Sequence, residues 1–458
     1  MFEGMAVNKK DFSTCKMLSF QVGGFMKKVA FYTLGCKVNQ YETEAITGLF
    51  EKEGYQITGF EEKADVYVIN TCTVTNLSDR KSRQMIRRAR KNNENAIVVV
   101  VGCYAQTAPD EVSRIPGVNL ILGTKERGKI IEYINQLESN HDPINAVDDI
   151  MGTRYFEQLN VDSYKERTRA FLKIQEGCSQ FCSYCIIPYA RGPIRSRQPE
   201  EVLEEVDRLA KAGFKEVVLT GIHVASYGKD IKTTSLLDII KKVHEIEGIK
   251  RVRLGSIEPT TITEEFVDAA RNLKKLCPHY HISLQSGCDA TLKRMNRKYT
   301  AQEYKDVVTL LRKNIEDVAI TTDVMVGFPG ETDEEFSETY RFLKEINLTQ
   351  MHIFKFSPRK GTPAATFEDQ VSPGKKDERS SLLIELSRQN TIGFNNSYLG
   401  KVLSVLIEQE VKDRPGYLEG LSTNYIRILC KGNTGYIGEI LNIRIEKGEE
   451  DYLIGEIV

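Results

Sequence analysis

Gly177-Cys178-Ser179-Gln180-Phe181-Cys182-Ser183-Tyr184-Cys185 decides how this chain is read. Three thiols spaced four and then three residues apart suit three corners of an iron–sulfur cube and leave one iron open. Closed [4Fe-4S] sites use four Cys, and structural zinc sites also take a fourth ligand. The nearest downstream His is His223 and the nearest downstream Cys is Cys277, so an open site is the economical reading, with a redox or zinc thiol cluster as the alternative.

A strand-like run, Ala170-Phe171-Leu172-Lys173-Ile174-Gln175-Glu176, enters the loop, and Ile186-Ile187-Pro188-Tyr189-Ala190-Arg191-Gly192 leaves it. With an aromatic, Tyr184, before the third Cys, the segment resembles the radical S-adenosylmethionine (SAM) superfamily. The resemblance implies that the amino and carboxylate groups of SAM chelate the open iron and that one electron cleaves SAM to a 5′-deoxyadenosyl radical. Further apolar runs at 216–221, 250–255, 279–285, 319–327 and 350–356 alternate with helical patterns, giving six β/α units. The superfamily folds such units into a partial (β/α)6 barrel, and barrel chemistry sits at the carboxyl ends of strands. Position at those ends makes Gly221, Glu258, Ser283 and Gln285 candidate SAM or substrate contacts. Ordinary loop and cap chemistry is the competing reading, and Gly330-Glu331-Thr332-Asp333 reads as a turn capped by Thr332. His279 and His281 share one strand face and suggest packing or hydrogen bonding. Asp323 is a single inward carboxylate.

Upstream, from Lys28 to about Gln136, short apolar runs again alternate with helical patterns, the grammar of a three-layer α/β domain with a parallel sheet. Three strands end in Cys, at Leu34-Gly35-Cys36, Asn70-Thr71-Cys72 and Val101-Gly102-Cys103. Ligands of open α/β sheets bind outside the carboxyl ends of strands, so Cys36, Cys72 and Cys103 are expected on one rim. Read singly, each is a small apolar strand-end residue. Gly35-Cys36-Lys37-Val38-Asn39-Gln40-Tyr41-Glu42, Asn70-Thr71-Cys72-Thr73-Val74 and Gly102-Cys103-Tyr104-Ala105-Gln106 resemble the N-terminal domain of the methylthiotransferases, which implies a second, auxiliary [4Fe-4S] cluster on these Cys.

Beyond about Gly393 the pattern becomes short strands with Gly turns, which suits a small closed β-barrel of the OB type. This tail resembles a TRAM domain, an RNA-binding barrel. Residues 400–458 nonetheless hold seven Lys and Arg against ten acids, so RNA contact there would need segregated residues such as Tyr425, Arg427 and Lys431. The dense basic run lies elsewhere. Residues 80–91 carry seven positive charges and no acid, and on a helix Arg80, Arg83, Arg87, Arg88, Arg90 and Lys91 make a candidate phosphate-tracking face. A merely solvated face is the ordinary alternative.

The expected organisation is a non-native or disordered extension over 1–25, with Met26 as start; the α/β domain over 26–140; a linker over 141–163; the radical SAM core over 164–392; and the TRAM barrel over 393–458. Net charge is −1, so a nucleic-acid partner must be met by a local patch. No apolar run approaches the ~20 residues that cross a bilayer, and no continuous signal core opens the chain. The expected setting is the reducing cytoplasm, where ten Cys are poor candidates for disulfides.

As a whole the sequence resembles the tRNA methylthiotransferases. The runs at Cys36–Glu42 and Leu219–Gly228 resemble the bacterial branch that converts N6-threonylcarbamoyladenosine, beside the anticodon of tRNAs reading codons that begin with A, to its 2-methylthio form. The resemblance implies two [4Fe-4S] clusters, SAM used both to methylate a sulfur on the auxiliary cluster and to make the radical, a flavodoxin or ferredoxin-type electron donor, and a monomer. Same-chemistry alternatives are isopentenyladenosine in tRNA or a ribosomal-protein aspartate. The alternative of another class is a non-catalytic RNA-binding protein with zinc at the Cys sites.

Overall fold

The computed structural model describes residues 26–159 and 168–458. The expected extension over 1–25 lies outside the described residues. The first unit is a six-stranded sheet of β1 (Lys28–Thr33), β2 (Gln56–Thr58), β3 (Val66–Thr71), β4 (Ile97–Gly102), β5 (Leu120–Ile121) and β6 (Ile144–Asn145). All pairs are parallel, in the order β2-β1-β3-β4-β5-β6. β3 is buried at every position, as a central parallel strand covered on both faces must be. One face packs Ile69, Ile86, Val98 and Val100, and the other packs Ile46, Phe50, Val68 and Val99, which makes the three layers.

Of the stretch 141–163, expected as a surface linker, the described part, 141–159, supplies β6 and buries Ile150, Thr153 and Leu159, and the remainder lies outside the described residues. Its backbone is satisfied by joining the sheet rather than by solvent: Ile144 donates to Asn119 O and Ala146 to Ile121 O. The polar composition hid a two-residue strand too short to show a period.

The second unit carries β7 (Arg169–Glu176), β8 (Arg195–Ser196), β9 (Glu216–Gly221), β10 (Arg251–Leu254), β11 (His279–His281), β12 (Ala319–Val326) and β13 (Gln350–Lys355). Pairing runs β10-β9-β7-β8 and β11-β12-β13. Parallel bridges Val252↔Leu276 and Ile257↔Ile282 join the two sets. Six parallel strands therefore curve in chain order into an open barrel, with β8 as an antiparallel flap on β7. Alternate residues face outward into one large core, among them Leu172, Ile174, Val217, Leu219, Val252 and Ile320. The residues between them face inward. Thr332 caps the helix Asp333–Ile346 in a capping box with Glu335, as the turn signal requires.

The helix Pro373–Asn396 packs along β13, with the Ser387 hydroxyl donating to Met351 O and accepting from Met351 N. It leads into a closed barrel of β14 (Val402–Glu410), β15 (Tyr417–Ser422), β16 (Arg427–Lys431), β17 (Ile440–Gly448) and β18 (Leu453–Ile457), ordered β14-β15-β16-β18-β17. The barrel docks on the amino ends of the strands of the second unit. Arg251 donates to Leu421 O and Ser404 O, and Arg253 to Thr423 O and Ser422 O. Tyr425 stacks flat on His279, ring centroids 4.4 Å apart. It is thus a docking residue rather than an exposed RNA-stacking one.

Glu216 anchors that junction. It is fully buried, accepts from Arg253 at 2.9 Å, and lies 3.6 and 3.9 Å from Arg251 and Arg169. Removing one partner of a buried charge set leaves the others uncompensated, at a cost of about 3–5 kcal/mol. The variant Glu216→Ala is expected to lose about that much in urea unfolding. A loss below about 1 kcal/mol would show that the arginines are satisfied by the barrel carbonyls alone.

Candidate active site between two cysteine triads

In the first triad, Cys36, Cys72 and Cys103 follow β1, β3 and β4, which are neighbours in the sheet, so their thiols gather on one rim. The turns are built for this. Gly102 has φ +95°, and a Cβ there would lie 2.5 Å from Asn70 Oδ1 and 2.7 Å from Thr71 O. Only glycine makes that approach. Cys72 and Cys103 are buried while Cys36 is exposed. The Cys36 thiol donates to Asn39 Oδ1 at 3.7 Å, Asn39 Oδ1 accepts from Arg191 Nη2 at 2.7 Å, and Arg191 Nε donates to Cys103 Sγ at 3.2 Å.

Arg191 belongs to a buried ionic network. Its Nη1 donates to Glu42 and to Glu176 at 3.2 Å. Lys173 reaches Glu42 at 3.1 Å and Glu176 at 2.8 Å, and Arg127 reaches Glu42 at 2.5 Å and Glu157 at 2.7 Å. Burial alone would push the Glu42 carboxyl up, but Arg127, Arg191 and Lys173 together hold it well below the ordinary value. Glu176 is lowered in the same way. The network joins the helix Lys37–Lys52 of the first sheet domain to β7 and the cluster loop of the second.

Cys178, Cys182 and Cys185 form the second triad at the end of β7. Gly177 has φ +73°, and a Cβ there would lie 1.9 Å from Pro193 O. Cys178 N donates to Gly192 O and Cys185 N to Cys182 O, which fix the loop. Arg297 Nη1 donates to Cys182 Sγ at 3.3 Å, its Nη2 pairs with Glu258 at 2.5 Å, and its Nε donates to the Tyr299 hydroxyl at 2.9 Å. Each triad thus has one buried arginine bonded to one sulfur. Sequence reading missed both, although Arg191 stands in the run that leaves the loop.

Burial pushes the Cys103 and Cys185 thiols up to about 12 and Cys178 to about 11. As bare thiolates they would be costly, and a bound metal, which deprotonates a coordinating thiol outright, removes that cost. No group of three or more His, Cys, Asp or Glu among the described residues is spaced for a single metal ion. The donor set, three thiols and an arginine in each case, suits a wider three-thiolate cluster.

A pocket of about 220 Å³ is lined by Cys185 of the second triad and reaches the segment that follows Cys72 of the first. Val74 and Thr75, just after Cys72, form one wall; Tyr184, Cys185, Ile186 and Ile187 form another; Gln285, Asp323, Met325, Phe354 and Phe356 close it. Of the four strand-end candidates, Gln285 lines this pocket, held at φ +73°, a conformation that non-glycine residues adopt at functional sites more than elsewhere. Glu258 is engaged by Arg297 and lies 3.5 Å from His223. Ser283 bonds the Ser256 hydroxyl at 2.9 Å, and Gly221 packs on Gln175. The expected histidine packing is seen, as His279 and His281 share the Thr321 hydroxyl at 3.2 and 2.9 Å.

The basic run is a helix, Asn76–Asn92, capped by Thr75. Arg80, Lys81, Arg87, Arg88 and Lys91 are exposed. Arg83 is committed to the Tyr104 hydroxyl at 3.0 Å, Arg88 to Glu61 at 2.5 Å, and half-buried Arg90 points to Ala96 O at 3.4 Å. Buried Asp79, on the same helix, is taken by Arg359 at 2.6 Å from the second domain.

The chain matches the Radical SAM superfamily over residues 172–343, the uncharacterized protein family UPF0004 over 28–123 and the TRAM domain over 396–458. It is 47% identical to the threonylcarbamoyladenosine tRNA methylthiotransferase MtaB of Bacillus subtilis, across 94% of this chain and 97% of that protein. The chain belongs to the radical-SAM methylthiotransferase family. The MtaB protein of Aquifex aeolicus is 39% identical, over 91% of this chain and all of that protein. A tRNA-2-methylthio-N(6)-dimethylallyladenosine synthase of Clostridium botulinum is 36% identical, over 93% of this chain and 95% of that protein. Among solved structures, the radical SAM methyltransferase TsrM from Kitasatospora setae matches with a TM-score of 0.53 at 16% identity, covering 74% of each chain, a likeness of fold alone. The chain is therefore a transferase with [4Fe-4S] clusters and SAM as its cofactors. No helix among the described residues is long and apolar enough to cross a membrane.

The network sets a pH dependence. Glu42 titrates near 4.5 when unfolded and lower when folded, so the folded state binds fewer protons. Its stabilisation is complete above about pH 4.5 and is lost as pH falls through the folded value. Wild-type stability should decline below that pH. Glu42→Gln should lower stability at neutral pH by about 3–5 kcal/mol and flatten the acid decline; an equally steep decline in the variant would assign it to other carboxylates.

Proposed function

We propose that the chain adds a methylthio group to carbon 2 of N6-threonylcarbamoyladenosine, beside the anticodon of tRNAs reading codons that begin with A. The observation that carries this reading is the pocket with one wall after Cys72 and another at Cys185. The choice of adenosine is supported by the identities, 47%, 39% and 38% to three MtaB proteins against 36% to the dimethylallyladenosine synthases.

In this reading Cys178, Cys182 and Cys185 hold the SAM-cleaving [4Fe-4S] cluster, and Cys36, Cys72 and Cys103 hold the auxiliary one. When bound, the clusters and SAM supply the sulfur, the methyl group and the radical that takes hydrogen from carbon 2. The protein supplies placement. Arg297 and Arg191 donate charge-assisted hydrogen bonds to Cys182 and Cys103, which favour their thiolate forms. Ile186, Ile187, Met325, Phe354 and Phe356 keep the pocket largely apolar, while Gln285, Asp323, Ser357 and Lys355, the last paired with Asp377, are its polar groups, the usual composition of a small-molecule site. The target base must leave its stack to enter, and direct hydrogen transfer demands close, oriented approach.

The exposed charges of Arg80, Lys81, Arg87 and Lys91 lie on the helix that starts beside the pocket wall at Thr75 and track the phosphates of the anticodon arm. Gln285 is the pocket-side candidate for SAM, with Gly221, Glu258 and Ser283 shaping the strand ends around it. The division of labour is an auxiliary-cluster domain from residue 26 through the edge strand β6, a radical core ending near 392 and a TRAM barrel over 393–458, working as a cytoplasmic monomer with a flavodoxin or ferredoxin-type donor.

Anaerobically reconstituted protein should hold about eight iron, and about four after replacement by Ala of either all of Cys36, Cys72 and Cys103 or all of Cys178, Cys182 and Cys185. A wild type with about four iron, indifferent to loss of the first triad, would remove methylthiolation. Replacing Arg80, Arg87 and Lys91 by Ala should weaken tRNA binding and reduce the slope of log K against log salt by roughly 0.7 to 0.9 per lost phosphate contact. An unchanged slope would move the phosphate path elsewhere.

A further inference from the structure

Lys37 follows Cys36 directly and starts the helix Lys37–Lys52, yet its side chain turns into the second domain. Its Nζ lies 5.9 Å from the centre of the Phe171 ring, on the inward face of β7. That contact turns it toward the open barrel, where the charged and titratable groups around it are Tyr425, Arg169, Arg253, Glu216, His279 and His352. Among the described residues it has no carboxylate or hydrogen-bond partner. The acids in reach are spoken for. Glu216 is shared by Arg253, Arg251 and Arg169, and Glu408 pairs with Arg169.

Arg169 is already shared between Glu216 and Glu408, so Lys37 is the cation left over. A half-buried cation without a carboxylate calls for an anion, because a charge drawn out of water is costly to leave uncompensated. One side chain, Asp323, links this interior to the reactive pocket. Asp323 lines that pocket, its carboxylate is 3.4 Å from His281 Nε2, and the His281 and His352 rings are 5.7 Å apart.

We propose that the barrel interior at Lys37, edged by His281 and His352, is the receptor for a carboxylate carried on the N6 substituent of the target adenosine. This rests on the substrate reading given above and adds how that substrate is told from a neutral, apolar one. A flat base held in the pocket would extend its N6 chain past Asp323 to Lys37, where a carboxylate completes the charge balance. A neutral substituent leaves Lys37 unpaired, so discrimination comes from the penalty on the wrong substrate as much as from attraction to the right one.

The test uses full-length, cluster-loaded protein and two anticodon stem-loop RNAs, one with threonylcarbamoyladenosine and one with its threonine methyl ester. Wild type should prefer the acid by about 30-fold or more in kcat/KM, the size expected when one partner of a buried charge pair is truncated. In Lys37→Met the preference should collapse toward unity through a raised KM for the acid RNA, and Lys37→Arg should restore part of it. Iron content and the KM for SAM should stay at wild-type values.

Equal use of acid and ester by wild type overturns the proposal. So does a Lys37→Met variant whose KM rises for SAM rather than RNA, which assigns the lysine to the SAM carboxylate, or one that loses iron yet keeps the acid preference. A wild type that modifies neither RNA sinks the substrate reading instead. Fluorescence anisotropy of the two RNAs then tests the receptor separately, and equal affinities reject it.

Discussion

The contact of Arg191 with Glu42 is the constraint on which the site depends. Three cations, Arg127, Lys173 and Arg191, meet three carboxylates, Glu42, Glu157 and Glu176, where the first sheet domain abuts β7. Hydrophobic contact tolerates sliding, whereas a set of charges out of water is satisfied in one arrangement only. From this set Arg191 reaches on to Asn39 and Cys103. Docking of the domains and placement of the first triad are therefore one event, and the pocket, which borrows a wall from each domain, exists only when it has occurred. The contact of Arg359 with Asp79 and Thr73 repeats the device just beyond Cys72, so that wall is pinned from two sides.

Much of this was legible in the sequence because it is local. The three Cys at strand ends, the apolar runs of the barrel strands and the Gly turns of the final barrel each show within a window of a few residues. What stayed hidden is relational. Glu42 and Arg191 are 149 positions apart, and neither looks unusual at its own position; a surface helix carries many glutamates, and an arginine after a loop reads as solvated. Arg297 lies 115 positions from the sulfur it bonds. Tyr425 reads as an exposed aromatic of an RNA-binding barrel, but tertiary contact makes it the floor under His279. The basic helix divides similarly. Charge density is a property of composition, whereas the commitment of Arg83 to Tyr104 and of Arg88 to Glu61 depends on what the fold brings alongside.

The position of the terminal barrel bears on how RNA is held. It covers the amino ends of the radical-SAM strands, through Arg251, Arg253 and Tyr425, while the pocket opens at the carboxyl ends. An eight-residue strand such as β7 spans roughly 26 Å, so RNA touching both must reach along the side of the core rather than sit on one face. With ten acids against seven bases in residues 400–458, that barrel is a poor source of general phosphate affinity, and the helix beside Thr75 is the better one. What the barrel does contribute is closure. Its backbone carbonyls complete the hydrogen bonding of Arg251 and Arg253, whose charge Glu216 answers, and Tyr425 stacked on His279 covers the interior from below. Lys37, which has no such partner, is the one cation of this interior that neither the core nor the barrel answers.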